Sequence, residues 1–301
     1  MPVLDRAHWL SFLGAMAGVA RTMASFVWLR SLGAGLLLLL IALVSRPCVA
    51  QTPMPLANWQ YSAGEVLATY MGPVPDWRVV LGLGAMVAPD YPGAKRYMPE
   101  PAGIVDVRYK DIAFASIAEG IGVNLLHGKG YRAGIAVSYD FGRYRWEDPR
   151  LDHLPNIGPA AEPKIFAQYF LKPVVLAADL RKGIGGHNGV IGDLGAYVPL
   201  PITKTAFLFI GPTLGMANGT YMNAYFGIDP THVRQPGLPT FAPRGGFYDT
   251  GIGATGVYMF GNHWLLSLDA AYQRLLGDAV ESPLTETRTQ LTADFIVGYR
   301  F

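Results

Sequence analysis

The chain has 301 residues, 51% of them hydrophobic and only 15% charged, with a formal net charge of +2 at pH 7. It is too apolar for a disordered chain, and near-neutrality without Lys/Arg blocks excludes a nucleic-acid footprint. One cysteine, Cys48, excludes a disulfide framework and any cysteine-rich metal site, while 36 Gly and 23 Pro spread along the chain exclude a helical bundle.

Arg21 and Arg30 precede an uncharged run containing Leu36 to Leu40, which ends in the small residues of Cys48-Val49-Ala50. A basic flank, a short apolar run and small residues at the last and third-last positions predict a cleavable secretory signal over residues 1–50, with Met23 as a possible true start. The run falls short of the roughly 20 residues a transmembrane helix needs. Cleavage after Ala50 removes four Arg, one Asp and the only thiol, leaving a net charge of −1. Residues 51–76 are then an N-terminal periplasmic stretch, with a poorly patterned first strand between Trp59 and Tyr70.

From Trp77 onward the period is two. Alternation is clearest at 131–141, where Tyr131, Ala133, Ile135, Val137, Tyr139 and Phe141 interleave with Arg132, Gly134, Ala136, Ser138, Asp140 and Gly142. It recurs at 264–273 and at 290–301, where Ile296 is the one apolar residue on the polar face. Weaker versions span 77–87, 103–109, 112–123, 164–171, 174–181, 190–198, 205–216 and 247–260. Period two means strands with one apolar face. Most exceed the 5–6 residues of a soluble sandwich strand and match the roughly 9–11 that cross a bilayer when tilted. Aromatics at their ends, among them Trp77, Tyr109, Tyr131, Tyr169, Trp264 and Tyr299, suit interfacial girdles.

Strands can span hydrocarbon only as a closed barrel. The prediction is therefore an all-β fold: an antiparallel up-and-down outer-membrane barrel over 77–301. Eleven segments and the even-number rule give about 12 strands, or alternatively 10. With a periplasmic C-terminus, 171–173, 199–204 and 261–263 become short periplasmic turns, and 143–162, 181–188, 217–246 and 276–288 become outer loops. This alternation breaks down before Tyr131.

Catalytic chemistry is sparse. Gly251-Ile252-Gly253-Ala254-Thr255-Gly256 spells a dinucleotide fingerprint, but Val257, Tyr258 and Phe260 continue a strand rather than opening a helix. His127, His153, His187, His232 and His263 are scattered over turns and loops and read as solvated residues, not metal ligands. Glu147-Asp148 reads as a solvated loop pair. Asp140, Asp179, Asp193, Asp269, Asp294, Arg132, Arg181 and Arg300 fall opposite or at the edge of an apolar face, so they project inward to hold a plugged lumen or line a water path. The expectation is a protein without enzymatic activity, cofactor or metal.

Four local motifs stand in order along the mature chain: Tyr91-Pro92-Gly93-Ala94; Tyr225-Phe226-Gly227-Ile228; Arg274 to Ala279 running into Glu281-Ser282-Pro283-Leu284; and a terminal Gly298-Tyr299-Arg300-Phe301. Together they resemble the MipA/OmpV family of outer-membrane proteins. The resemblance implies an outer-membrane barrel whose Tyr299 and Phe301 are read by the barrel-assembly machinery. It implies a non-enzymatic scaffold that brings a lytic transglycosylase and a bifunctional penicillin-binding protein together, or alternatively a porin-like channel for small solutes. The family offers no catalytic residue to carry over. Tyr91, Pro92, Gly93, Tyr225, Phe226, Gly227, Ser282, Pro283 and Leu284 remain motif residues without a role.

Overall fold

The computed structural model describes residues 76–152, 154–229 and 238–301. The expected leader, the Met23 start, the strand between Trp59 and Tyr70, His153 and His232 lie outside the described residues.

In chain order the strands are β1 (Trp77–Pro89), β2 (Tyr97–Tyr109), β3 (Ala113–Ser116), β4 (Gly120–Gly128), β5 (Tyr131–Asp140), β6 (Ala160–Leu171), β7 (Val174–Lys182), β8 (Ile184–Gly185), β9 (Val190–Pro201), β10 (Ala206–Ala217), β11 (Gly246–Phe260), β12 (Trp264–Leu275) and β13 (Thr289–Arg300). All pairings are antiparallel. β1 pairs with both β2 and β13, and β5 pairs with β6, which closes the sheet into a ring of twelve strands. The two-residue β8 is not a thirteenth stave: it extends the pairing of β7 on β6 beyond Gly183, setting Ile184 against Ala161 and Gly185 against Ala160. The glycine fingerprint is central to β11, hydrogen-bonded on both sides.

The twelfth strand comes from the segment at 112–123, expected as one strand. It is a hairpin, β3 and β4, turning at 117–119, with Gly120 at φ +84° and Ser116 Oγ accepting the Glu119 amide at 2.9 Å. Among the described residues the ring closes without a strand between Trp59 and Tyr70. The split also restores the alternation before Tyr131. Turns at 110–112, 129–130, 172–173, 202–205 and 261–263 share one end, and the loops after β1, β5, β7, β10 and β12 share the other. Two of those loops carry helices, α1 (Gly219–Phe226) and α2 (Gly277–Glu281).

Burial is inverted relative to a soluble protein. Ile121 is 71% exposed and Leu291 59%, whereas Arg181 is 3% and Asp269 2% exposed. Alternate residues thus send an apolar belt outward and polar groups inward, as a barrel in lipid requires. The exception at Ile296 faces inward opposite glycine: a Cβ on Gly82 would lie 2.9 Å from Ile296 Cγ2, so the missing side chain on β1 makes room for it. Aromatics gather at the short-turn end, where Trp77 packs on Tyr109 at 4.8 Å between ring centroids and Trp264 on Tyr299 at 5.1 Å. Among the described residues no helix is long and apolar enough to cross a membrane.

Candidate functional site

The lumen holds its charges in clusters on neighbouring strands. Near the short-turn end, Val175, Tyr197, Phe207, Phe209 and Val257 form an apolar floor, and Ser267 Oγ donates to Asp269 Oδ2 at 2.7 Å, with Thr255 bonded to the other oxygen. Beside β2 and β5, Glu119 drops from the β3–β4 turn between Arg108 and Arg132, 3.1 Å from Arg132 Nη2. Arg108 also holds Asp106 at 2.8 Å, and Arg132 Nε donates to Gln168 at 2.8 Å. An interior cavity next to Glu119, Lys164 and Asp193 measures about 30 Å³, room for about one water.

Towards the long-loop end, Arg181 of β7 meets three carboxylates: Asp179 at 2.6 Å, Asp193 of β9 at 2.5 Å and Glu162 of β6 at 3.3 Å. His187, from the loop between β8 and β9, enters this layer with its Nε2 3.2 Å from Asp140 Oδ2 and 3.3 Å from Glu162 Oε1. The Gly189 amide donates to His187 Nδ1 at 3.3 Å. Asp140 is held further by the Tyr225 hydroxyl on Oδ2 and the Gly142 amide on Oδ1, both at 2.6 Å. Burial opposes a charge on His187, but the two carboxylates outweigh it and raise its pKa to about 9: this spot favours positive charge. Burial, reinforced by Asp140, also pushes the Tyr225 hydroxyl well above its ordinary range, so it stays a donor.

Above this layer sits α1. Asn218 caps it, its side chain accepting the Tyr221 amide at 3.1 Å and the Val190 amide at 3.0 Å, which ties the helix to the start of β9. Tyr221, Met222, Tyr225 and Phe226 are buried among Ile157, Ile191, Tyr248, Leu275 and Ala279. The nine motif residues, left without a role by the sequence, converge here. The Tyr91 hydroxyl donates to Leu284 O at 3.0 Å, and Ser282 Oγ donates to Phe226 O at 2.7 Å. Gly93 O accepts the amides of Glu286 and Thr287 at 2.8 and 3.0 Å. Arg150 Nη1 reaches Pro283 O at 3.0 Å and Arg143 Nη1 reaches Tyr225 O at 2.6 Å. Tyr91, Ala94, Leu151, Leu154, Ile228 and Leu284 form the apolar centre of this knot. Pro92 is exposed at its edge, and Gly227 ends α1.

Tyr299 and Phe301 lie at the opposite end. The Phe301 amide donates to Val79 O at 3.0 Å, extending the β1–β13 seam, while its side chain is 66% exposed.

Three expectations need correction. His187 is not a solvated loop residue: its side chain is fully buried, because the loop folds inward under α1. Nor is Asp148 solvated; it is buried and caps the 3-10 turn Pro149–Leu151, accepting the Arg150 amide at 2.8 Å, while Glu147 beside it is half-buried. Glu162, placed at the end of a loop, is an inward residue of β6. Extending the period-two pattern of Gln168, Phe166 and Lys164 by one step would have found it. His187 has no such local signal.

A family model described as MltA-interacting protein MipA matches residues 81–301. YiaT of Escherichia coli strain K12, whose name places it in the outer membrane, is 25% identical over 127 residues, 42% of this chain and 49% of YiaT. The chain thus spans about half the length of the curated relatives it matches. Among solved structures it is similar to the COG4313 outer membrane channel from Pseudomonas putida F1, at 8% identity and TM-score 0.37 over 77% of this chain and 98% of that one. It is also similar to the NanC porin, at 10% identity and TM-score 0.36 over 74% and 98%.

Proposed function

Because the chain belongs to the MltA-interacting protein MipA family and is an outer-membrane multi-pass β-barrel, we propose that it is a sealed, non-enzymatic scaffold whose periplasmic face holds murein-cleaving and murein-synthesising enzymes. The observation that carries this reading is the inaccessibility of the lumen charges: Asp140, Glu162 and Asp269 are each 2% exposed. The charges lining an open channel meet water. Here they meet one another, beneath an outer mouth filled by α1 and the motif knot. Ser138 Oγ lies 3.3 Å from Glu162 Oε2 on the acid side of the His187 cluster, an arrangement that activates no nucleophile. The surface left for function is the outside of the barrel and its ends.

The scaffold reading puts the short-turn end in the periplasm. Turns 110–112, 129–130, 172–173, 202–205 and 261–263 then face the murein, together with residues 51–76, and a lytic transglycosylase and a bifunctional penicillin-binding protein are the partners. Tyr299 and Phe301 at that end serve the barrel-assembly machinery as its recognition signal. Photo-crosslinkers placed in the 110–112 and 202–205 turns of the protein in intact cells should capture those two enzyme classes. Capture of assembly factors alone would count against a scaffold. In planar bilayers the folded protein should be electrically silent, and steady ion-selective steps would favour the porin-like alternative.

A further inference from the structure

Asp140, Glu162 and His187 come from β5, β6 and the loop before β9, and their ligand atoms all lie within 4.8 Å of one another. Nε2 is 3.2 Å from Asp140 Oδ2 and 3.3 Å from Glu162 Oε1. With Zn–N and Zn–O bonds of about 2.0–2.1 Å, neighbouring ligand atoms of a tetrahedral zinc site stand about 3.3 Å apart. Neither His187 Nε2 nor Glu162 Oε1 has a partner with hydrogen-bonding geometry, although both are buried. Lone pairs that converge on a common point, not on one another, leave this combination of short separations and poor angles. We propose that Asp140, Glu162 and His187 form a divalent-cation site of zinc type.

Charge and support favour the same assignment. The connected layer holds four carboxylates, Asp140, Glu162, Asp179 and Asp193, against Arg181 in direct contact, with Lys164 and Asp249 as electrostatic neighbours of opposite sign. The layer keeps an excess of carboxylates that a divalent ion would offset. Each carboxylate ligand is gripped by a second group: Tyr225 and Gly142 fix Asp140, while Arg181 and Ser138 fix Glu162 through Oε2 and leave Oε1 facing the imidazole. Such supporting contacts orient metal ligands. Coordination through Nε2 moves the imidazole proton to Nδ1, at the expense of the long 3.3 Å contact from the Gly189 amide. The ion would bolt β5 and β6 to the loop that supports α1, tying the plug to the wall without taking part in catalysis. Mixed nitrogen and oxygen donors select zinc over calcium or magnesium.

The test uses the full-length protein, folded in detergent and stripped with a chelator. Zinc chloride titrated by calorimetry should bind at one equivalent, and cobalt chloride should develop the visible absorption of a tetrahedral nitrogen and oxygen site. His187→Ala and Asp140→Asn should abolish the cobalt spectrum, and Tyr225→Phe, which touches only a ligand, should weaken zinc binding at least tenfold. The exposed His127→Ala should change nothing. Folding of each variant is checked by its heat-modifiable gel mobility, and if His187→Ala does not fold, Tyr225→Phe and Asp140→Asn decide. No saturable binding by the folded protein, or binding and a cobalt spectrum that persist in Asp140→Asn and Tyr225→Phe, would overturn the proposal and leave a proton between the carboxylates.

Discussion

Ser282 and Tyr91 show how single hydroxyls hold the long-loop end. Ser282 Oγ donates to Phe226 O at 2.7 Å and accepts the Leu284 amide at 3.2 Å, so Ser282→Ala strips two buried backbone groups of a partner. A loss of about 1–3 kcal/mol is expected, read as a lower denaturation midpoint of the folded barrel in detergent. Tyr91→Phe removes the bond to Leu284 O and a longer contact to Glu286 Oε1 at 3.5 Å, and should cost about 1 kcal/mol in the same assay. Gly93 is required twice over: its φ is +99°, and a Cβ there would sit 3.0 Å from Thr285 Oγ1. Glu147 gives the loop a pH response. Burial, then the carboxylates of Glu100 and Asp90, raise its pKa from 4.5 to about 7. An acid whose pKa is raised by folding destabilises the fold once ionised, so its penalty is absent below pH 4.5 and grows as pH rises through about 7. Cleavage of the 143–159 loop by a protease should therefore be faster at pH 8 than at pH 5, and Glu147→Gln should flatten that difference.

At the scale of elements, the short β3–β4 hairpin governs the wall around it. β3 pairs with β2 only over Asp106–Tyr109, which among the described residues leaves 97–104 of β2 with β1 as their one strand neighbour. Val105 O accepts the Ile117 amide at 3.0 Å, so the main-chain groups of alternate residues 103, 101 and 99 point to that same unpaired edge. Pro99 and Pro101 stand there, with no N–H to leave unsatisfied. The hairpin turn in exchange delivers Glu119 to Arg108 and Arg132. Glu119→Ala leaves two buried guanidinium groups short of a carboxylate, and a loss of about 3–5 kcal/mol is expected on thermal or denaturant unfolding. A truncation of comparable size on the outward face, Ile121→Ala, should change stability far less, because Ile121 is 71% exposed. The hairpin was illegible because residues 112–118 are apolar except for Ser116 and carry no turn residue. The turn depends on Gly120 at positive φ and on a carboxylate whose partners are 11 and 13 residues away.

For the whole molecule, closure is the decisive event. β1 meets β13 over Val80↔Arg300 to Val87↔Ala293, and the Phe301 amide adds a rung on Val79 O. Removing Phe301 should slow insertion in cells and raise the unfolded fraction on gels. Refolding of the purified variant into detergent should be nearly unchanged, because one terminal rung is small against the full seam. The strands themselves were legible: period two separates a lipid face from a lumen face locally, and the hydrophobic effect enforces it residue by residue. The inward placement of Asp140, Asp179, Asp193, Asp269 and Arg181 followed from the same rule. The sequence by itself therefore determined the barrel, its antiparallel meander and the inward face of the well-patterned strands. Only the tertiary structure decided the strand number, the burial of His187 and the meeting of Tyr91 with Leu284 across 193 residues. Those depend on ring closure and on loops folding over a shared mouth. No local pattern encodes contacts that exist only after distant segments are brought together.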